Sequence, residues 1–181
     1  MRKTVLIFGL IAGAILSAAL LVTIPFHDRI GFDLGMVIGY ASMVAAFLLI
    51  FFGVRSYRDN VAGGRIGFGR AFSVGALIAL VASLCYVATW QVLYFKIAPD
   101  FMDKLEAHMV AEARRDGASP EQIAKTEREM REFAVLYSNP AFNAAITLIE
   151  PLPVGIVISL VSAGVLSRRR RPLDDTAPAT A

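Results

Sequence analysis

The chain has 181 residues, of which 56% are hydrophobic and 18% charged, with a formal net charge of +3. Soluble domains run at about 45–50% apolar even with glycine counted, so this excess excludes an ordinary water-soluble fold and calls for lipid as the solvent. One cysteine, Cys85 in an apolar stretch, excludes an internal disulfide and offers no nucleophile, and the length holds one compact unit.

The first apolar run covers residues 4–24. Arg2 and Lys3 before it and Ser17, Ala18 and Ala19 within it imitate a secretory signal. The stretch continues through Leu20, Leu21, Val22 and Ile24, however, beyond the roughly 7–15 residues of a signal core. It is expected to stay in the membrane as a helix. Further apolar runs cover residues 34–54, 72–95 and about 144–166, and none of the four holds a Lys or Arg. Each reaches the roughly 20 residues that a helix rising ~1.5 Å per residue needs to cross ~30 Å of hydrocarbon. Lipid offers no partner to unpaired backbone groups, and there are too few segments for a closed barrel, so the spans must be helical. The expected fold class is all-α: a polytopic bundle of four transmembrane helices over residues 1–171.

Residues 96–139, between the third and fourth runs, form the only sizeable polar part. Phe101, Leu105, Met109 and Ala113 recur every four residues until Gly117. Ser119 then caps a second helix, with Pro120 in its first turn and Gln122 completing a capping box. Ile123, Met130, Phe133 and Tyr137 mark its apolar face, and Glu121 with Lys125 and Glu127 with Arg131 are favourable i,i+4 pairs on the other. An extracytoplasmic helical hairpin is expected, standing in water or lying on the membrane. Residues 172–181 have nothing to bury and are expected to be a disordered cytoplasmic tail.

Basic residues near span ends resist translocation. Arg2, Lys3, Arg55, Arg58, Arg65, Arg70 and the arginine run 168–171 fall on one side of the bilayer, while the short loop on the other offers only Arg29. The basic side is expected to be cytoplasmic, with both termini there. The charge thus marks topology, and no nucleic-acid partner is expected.

Glu150 carries the sharpest functional hint. Were the fourth span to begin after Pro153, about fourteen residues or ~21 Å of helix would remain before Arg168, too short to cross. Glu150 therefore belongs inside the bilayer, in its outer half. An ionised carboxylate there is costly and marks a functional site by default. With no Lys or Arg in any span, the carboxyl is expected to be neutral. Partners at matching depth are Thr89 and Gln91 on the third span, Thr147 on its own helix and His27 at the mouth. Pro151 and Pro153 lack donors, which frees the carbonyls of Thr147 and Ile149 and kinks the helix beside the acid. Two readings follow: a proton or cation site, or a neutral glutamate hydrogen-bonded across the bundle.

The spans also carry small residues every four positions: Gly9, Gly13 and Ser17; Gly31, Gly35 and Gly39; Gly75, Ala79 and Ser83; Gly155, Ser159 and Ala163. Such faces let backbones approach closely, within the bundle or between copies. His108 and Glu112 have the i,i+4 spacing of a metal pair but no further ligands, so no metal or cofactor is expected. The glycine-rich loop from Gly63 to Arg70 lacks a preceding strand and a Gly-Lys-Ser or Gly-Lys-Thr sequence, so it reads as a tight turn rather than a phosphate cradle. Tyr57 and Phe68 are expected at the interface, with Arg58, Arg65 and Arg70 near anionic lipid headgroups.

The run from Tyr57-Arg58-Asp59 through Gly63-Gly64 to Phe68-Gly69-Arg70-Ala71-Phe72, and Tyr94 followed by Pro99-Asp100-Phe101, resemble a bacterial membrane family catalogued as domain of unknown function 4199. The resemblance implies a four-span bacterial inner-membrane protein and transfers no activity, ligand or catalytic residue. No nucleophile, base pair or metal cluster assembles in the sequence, so an enzyme is not expected. The leading expectation is a non-enzymatic protein that packs with itself or a membrane partner, using the small-residue faces or the stripe of Phe101, Leu105, Met109, Met130 and Phe133. The alternative is a small transporter or proton-linked subunit centred on Glu150.

Overall fold

The computed structural model describes residues 1–167, with the side chains of His27 and Asp28 outside the described set. The expected tail and the bundle's boundary at Arg171 also lie outside it. The described chain is helical throughout: α1 (Arg2–Thr23), the short α2 (His27–Ile30), α3 (Phe32–Asn60), α4 (Phe68–Val92), α5 (Phe101–Arg115), α6 (Pro120–Tyr137), α7 (Pro140–Ile149) and α8 (Pro151–Leu166). Four helical stretches are long and apolar enough to cross a membrane: Arg2–Phe26, Phe32–Asn60, Phe68–Ile97 and Pro140–Leu166. Each contains one of the apolar runs and extends past it, because polar residues at span ends keep intrahelical hydrogen bonds after the helix leaves the hydrocarbon.

Glycines set how the spans meet. A Cβ at Gly9 would stand 2.7 Å from Val81 Cβ, and one at Gly13 2.7 Å from Cys85 Cβ, so α1 and α4 lie parallel with their backbones in close approach. Gly75 meets Ser159 and Gly155 meets Ala79 at 2.7–3.0 Å, which runs α8 antiparallel to α4. Gly53 closes α3 onto Ile78 and Phe8. Without a hydrophobic force between helices in lipid, these contacts are what van der Waals packing has to work with. Three of the four small-residue faces are thus consumed inside the bundle. The fourth is not: Gly31, Gly35 and Gly39 have nothing within 4 Å of an added Cβ.

The difference divides the molecule in two. Towards the arginine-bearing end, Leu16, Met43, Phe47, Ile50, Val74 and Ile78 form a closed core at 0–1% exposure. Towards the opposite end, α3 buries nothing before Met43 and stands off its neighbours.

At the arginine-bearing end, Gly64 N–H donates to the Arg58 carbonyl at 2.8 Å, with Gly63 and Gly64 at φ 66° and 82°, so α3 ends in the tight turn the glycines foretold. Arg58 binds Asp59 at 2.7 Å, while Arg65 and Arg70 are exposed. Phe68 is exposed too, but Tyr57, expected at the interface, is buried in the core instead. It shares one helix face with Gly53 and Val54, which point inward.

At the other end, α4 runs into a π turn over Leu93–Ile97, closed by Ala98 N–H to the Leu93 carbonyl at 2.8 Å. The capping box of α6 forms as read: Ser119 Oγ accepts from Gln122 N–H and Gln122 Oε1 from Ser119 N–H. α5 and α6 pack on each other, and Glu106 accepts from Arg131 Nε at 3.1 Å. Arg131 also pairs with Glu127, whereas Lys125 sits by Glu129 rather than Glu121. The apolar stripe expected to be exposed is largely covered. Phe101, Leu105, Met130 and Phe133 pack on a cluster of Trp90, Tyr94, Met102 and Tyr137. Met109 stays 39% exposed while Met102 and Val110 are buried, so the inward face of α5 is turned from the one the four-residue repeat marked.

Candidate functional site

Where the loosely packed ends of the spans separate, a cavity of about 290 Å³ opens between α1, α3, α4, α5 and α7. Gly35, Gly39 and Tyr40 of α3 form one wall, Tyr86 and Trp90 of α4 another, and Phe101 and Leu105 of α5 reach over it. Glu150 lies on the remaining side. Among the described residues lining the cavity it is the only acidic one, and none of them is basic.

The helix break puts Glu150 there. Pro151 and Pro153 have no N–H to offer the carbonyls of Thr147 and Ile149, so the fourth span is divided into α7 and α8 with Glu150 between them. Its Oε2 accepts a hydrogen bond from the hydroxyl of Tyr86 at 2.9 Å. Tyr86 is 7% exposed and held by the closed core beneath it. A phenol that donates to one carboxyl oxygen leaves the other for a further partner.

Beside this pair runs a chain of hydrogen bonds. Trp90 Nε1–H donates to the hydroxyl of Tyr137 at 2.9 Å, and that hydroxyl lies 3.2 Å from Thr147 Oγ1. Since the Tyr137 oxygen already accepts, its proton is free to point to Thr147. Thr147 is 3.5 Å from Asn143 Oδ1, which also accepts from Gln91 Nε2 at 2.8 Å, and Asn143 Nδ2 donates to the Tyr137 carbonyl at 3.3 Å. Burial, the largest influence, raises the Tyr137 hydroxyl above its ordinary range, so it keeps its proton at physiological pH. Buried networks whose members are all satisfied fix a unique packing. Here the network ties α6 and α7 to α4.

Of the residues singled out around Glu150, Thr147 lines the same cavity. Thr89 and Gln91 do not serve the acid: Thr89 binds Ser17 of α1 at 2.8 Å, and Gln91 binds Asn143 and the Pro140 carbonyl. Successive helical residues diverge by about 100°, so on α4 it is Tyr86 and Trp90, four apart, that face the cavity together. The side chain of His27 is outside the described residues. Tyr86 was the partner missed. Depth alone could have found it, because Tyr86 lies about as far from the end of its span at Ile97 as Glu150 does from the start of its own at Pro140.

His108 does not turn to Glu112. Its ring stacks on Phe32 at 4.8 Å and its Nε2 lies 3.5 Å from Asp33 Oδ1, fastening α5 to the start of α3 beside the cavity. No group of three or more potential metal ligands occurs among the described residues.

A family model described as a protein of unknown function (DUF4199) matches residues 7–168. The chain belongs to that family. Within this DUF4199 chain the matched region takes in the first span from residue 7, the other three spans whole, the cavity and the α5–α6 pair. No curated protein and no solved structure matches it.

Proposed function

We propose that this is a non-enzymatic inner-membrane protein that works through its cavity, taking up a proton or a small cation at Glu150. One observation carries the reading: a carboxyl within a membrane-spanning segment, held by Tyr86 at 2.9 Å, on the wall of a cavity of about 290 Å³ with no basic residue among the described residues of its lining. Glu150 is not enclosed by helix contacts: it is exposed, and it lines the cavity. The distribution of arginines supports a cytoplasmic position for both termini and for Arg58, Arg65 and Arg70 beside lipid headgroups. The cavity and the α5–α6 hairpin then face outward, to the periplasm of a two-membrane bacterium.

Trp90 is the only tryptophan of the sequence and lines the same cavity, so its fluorescence reports the site. Between pH 4 and 9, purified protein should show a fluorescence transition that is absent from Glu150→Gln. Identical titrations of the two proteins would sink the proposal.

A second reading, self-association or capture of a membrane partner by helix packing, is supported by the open face of Gly31, Gly35 and Gly39. If copies meet there, Gly35→Cys, on that face itself, crosslinks to a dimer on oxidation in native membranes above the background from Cys85, and the absence of such a band removes this reading.

A further inference from the structure

The geometry points to an organic cation, apolar around its charge, as the ligand of the Glu150 cavity. The inference rests on the proposal that the cavity is a binding site, and it specifies what the cavity binds.

The described lining supplies one acid and a set of aromatic side chains. Tyr40, Tyr86, Trp90, Phe101 and Tyr137 all contribute, and Trp90 and Phe101 stand edge to face with centroids 5.0 Å apart. Aromatic faces attract cations through the ring quadrupole, most strongly where water is excluded, and cages of this kind suit quaternary and tertiary ammonium groups. The free carboxyl oxygen of Glu150 supplies the countercharge. At about 290 Å³ the space is at the lower end of the roughly 300–1,000 Å³ typical of small-molecule pockets.

Other ligand classes fit worse. An anion or a zwitterion needs a cationic partner, and none of the described residues lining the cavity supplies one. A bare metal ion needs several oxygen, nitrogen or sulfur ligands, whereas Glu150 is the only carboxylate among the described lining residues. A sugar needs many unspent donors and acceptors, and the hydroxyls of Tyr86, Tyr137 and Thr147 are committed to one another, to Asn143 or to Glu150. A cation clothed in methyl or methylene groups asks only for the acid and the rings.

Benzyltrimethylammonium, a permanent cation, and neopentylbenzene, its neutral isostere of nearly the same shape, separate charge from hydrophobic fit. Binding is followed by Trp90 fluorescence on the full chain in nanodiscs, with empty nanodiscs as the blank. The cation should bind saturably and at least about tenfold more tightly than the isostere, and Glu150→Gln should weaken it by at least about tenfold. Gly39→Leu provides the second variant. Nothing lies within 4 Å of a Cβ there, so the side chain enters open space, improves helix propensity and fills the cavity without unfolding the bundle. It should abolish saturable binding and leave thermal stability unchanged or raised.

Equal binding of cation and isostere, or cation binding that survives Glu150→Gln, overturns the inference because charge is then not being read. Failure of both probes to bind overturns it as well. Either result leaves the pH-dependent Trp90 signal of the wild type in place if the cavity takes a proton alone. Loss of that signal too is the separate failure of the underlying proposal.

Discussion

Trp90→Ala is expected to cost the folded state about 3–5 kcal/mol, the range for truncating a large buried aromatic. The side chain is 7% exposed, meets Phe101 edge to face at 5.0 Å and Tyr94 at 6.0 Å, and donates its N–H to Tyr137. Alanine would leave a void where α4, α5 and α6 converge and would strip the Tyr137 oxygen of its donor. Trp90→Phe keeps much of the ring and removes the N–H, so its cost should fall to about 1–3 kcal/mol. Denaturant midpoints in detergent check both. If alanine and phenylalanine cost the same small amount, the aromatic cluster is not what holds α5 and α6 to the spans.

Gly155→Leu should be comparably damaging for the opposite reason. A Cβ at position 155 would sit 2.7 Å from Ala79 Cβ and 3.5 Å from the ring of Phe47, and an alanine methyl has no rotamer by which to yield. Overpacking of this kind costs roughly 1–3 kcal/mol and sometimes more, and a leucine here belongs at or above the top of that range. Gly164→Leu, on the same helix with nothing within 4 Å, is the matched control and should be neutral or slightly stabilising. Thermal midpoints of the two variants should therefore move in different directions. Equal losses would mean that lipid-exposed glycines matter as much as packed ones, contrary to the arrangement of α4 against α8.

The spans were legible because hydrocarbon imposes a length that no soluble helix has to meet, and the capping box at Ser119 was legible because it is a local bargain among three residues. What the sequence withheld concerns rotation. Which way a span turns depends on its neighbours, so the repeat of Phe101, Leu105 and Met109 marked a face of α5 turned from the one that Met102 and Val110 bury. The same limit hid the surroundings of Glu150. Its depth could be counted from Arg168, but a search for polar partners by composition favoured Thr89 and Gln91. The actual donor, Tyr86, reads in sequence as an aromatic anchor. Gly31, Gly35 and Gly39 were equally ambiguous, since their spacing matches that of the glycines which close the bundle, and only the absence of a facing helix shows that they stand open, Gly35 and Gly39 on the wall of a cavity.

The break at Glu150 makes α7 a lever. Pro151 and Pro153 have no N–H to give, so swinging α7 against α8 there sacrifices no hydrogen bond from either residue. The ten residues of α7 make an arm of ~15 Å, and a swing of about 10° carries its far end about 2.6 Å. Asn143, about 10.5 Å along the arm from Glu150, moves about 1.8 Å in the same swing and so strains its 2.8 Å hydrogen bond with Gln91, the bond that moors the arm to α4. The carboxyl at the fulcrum and the amide mooring of the arm belong to one short helix, so a proton or cation taken up at Glu150 as proposed would be felt where α7 meets α6.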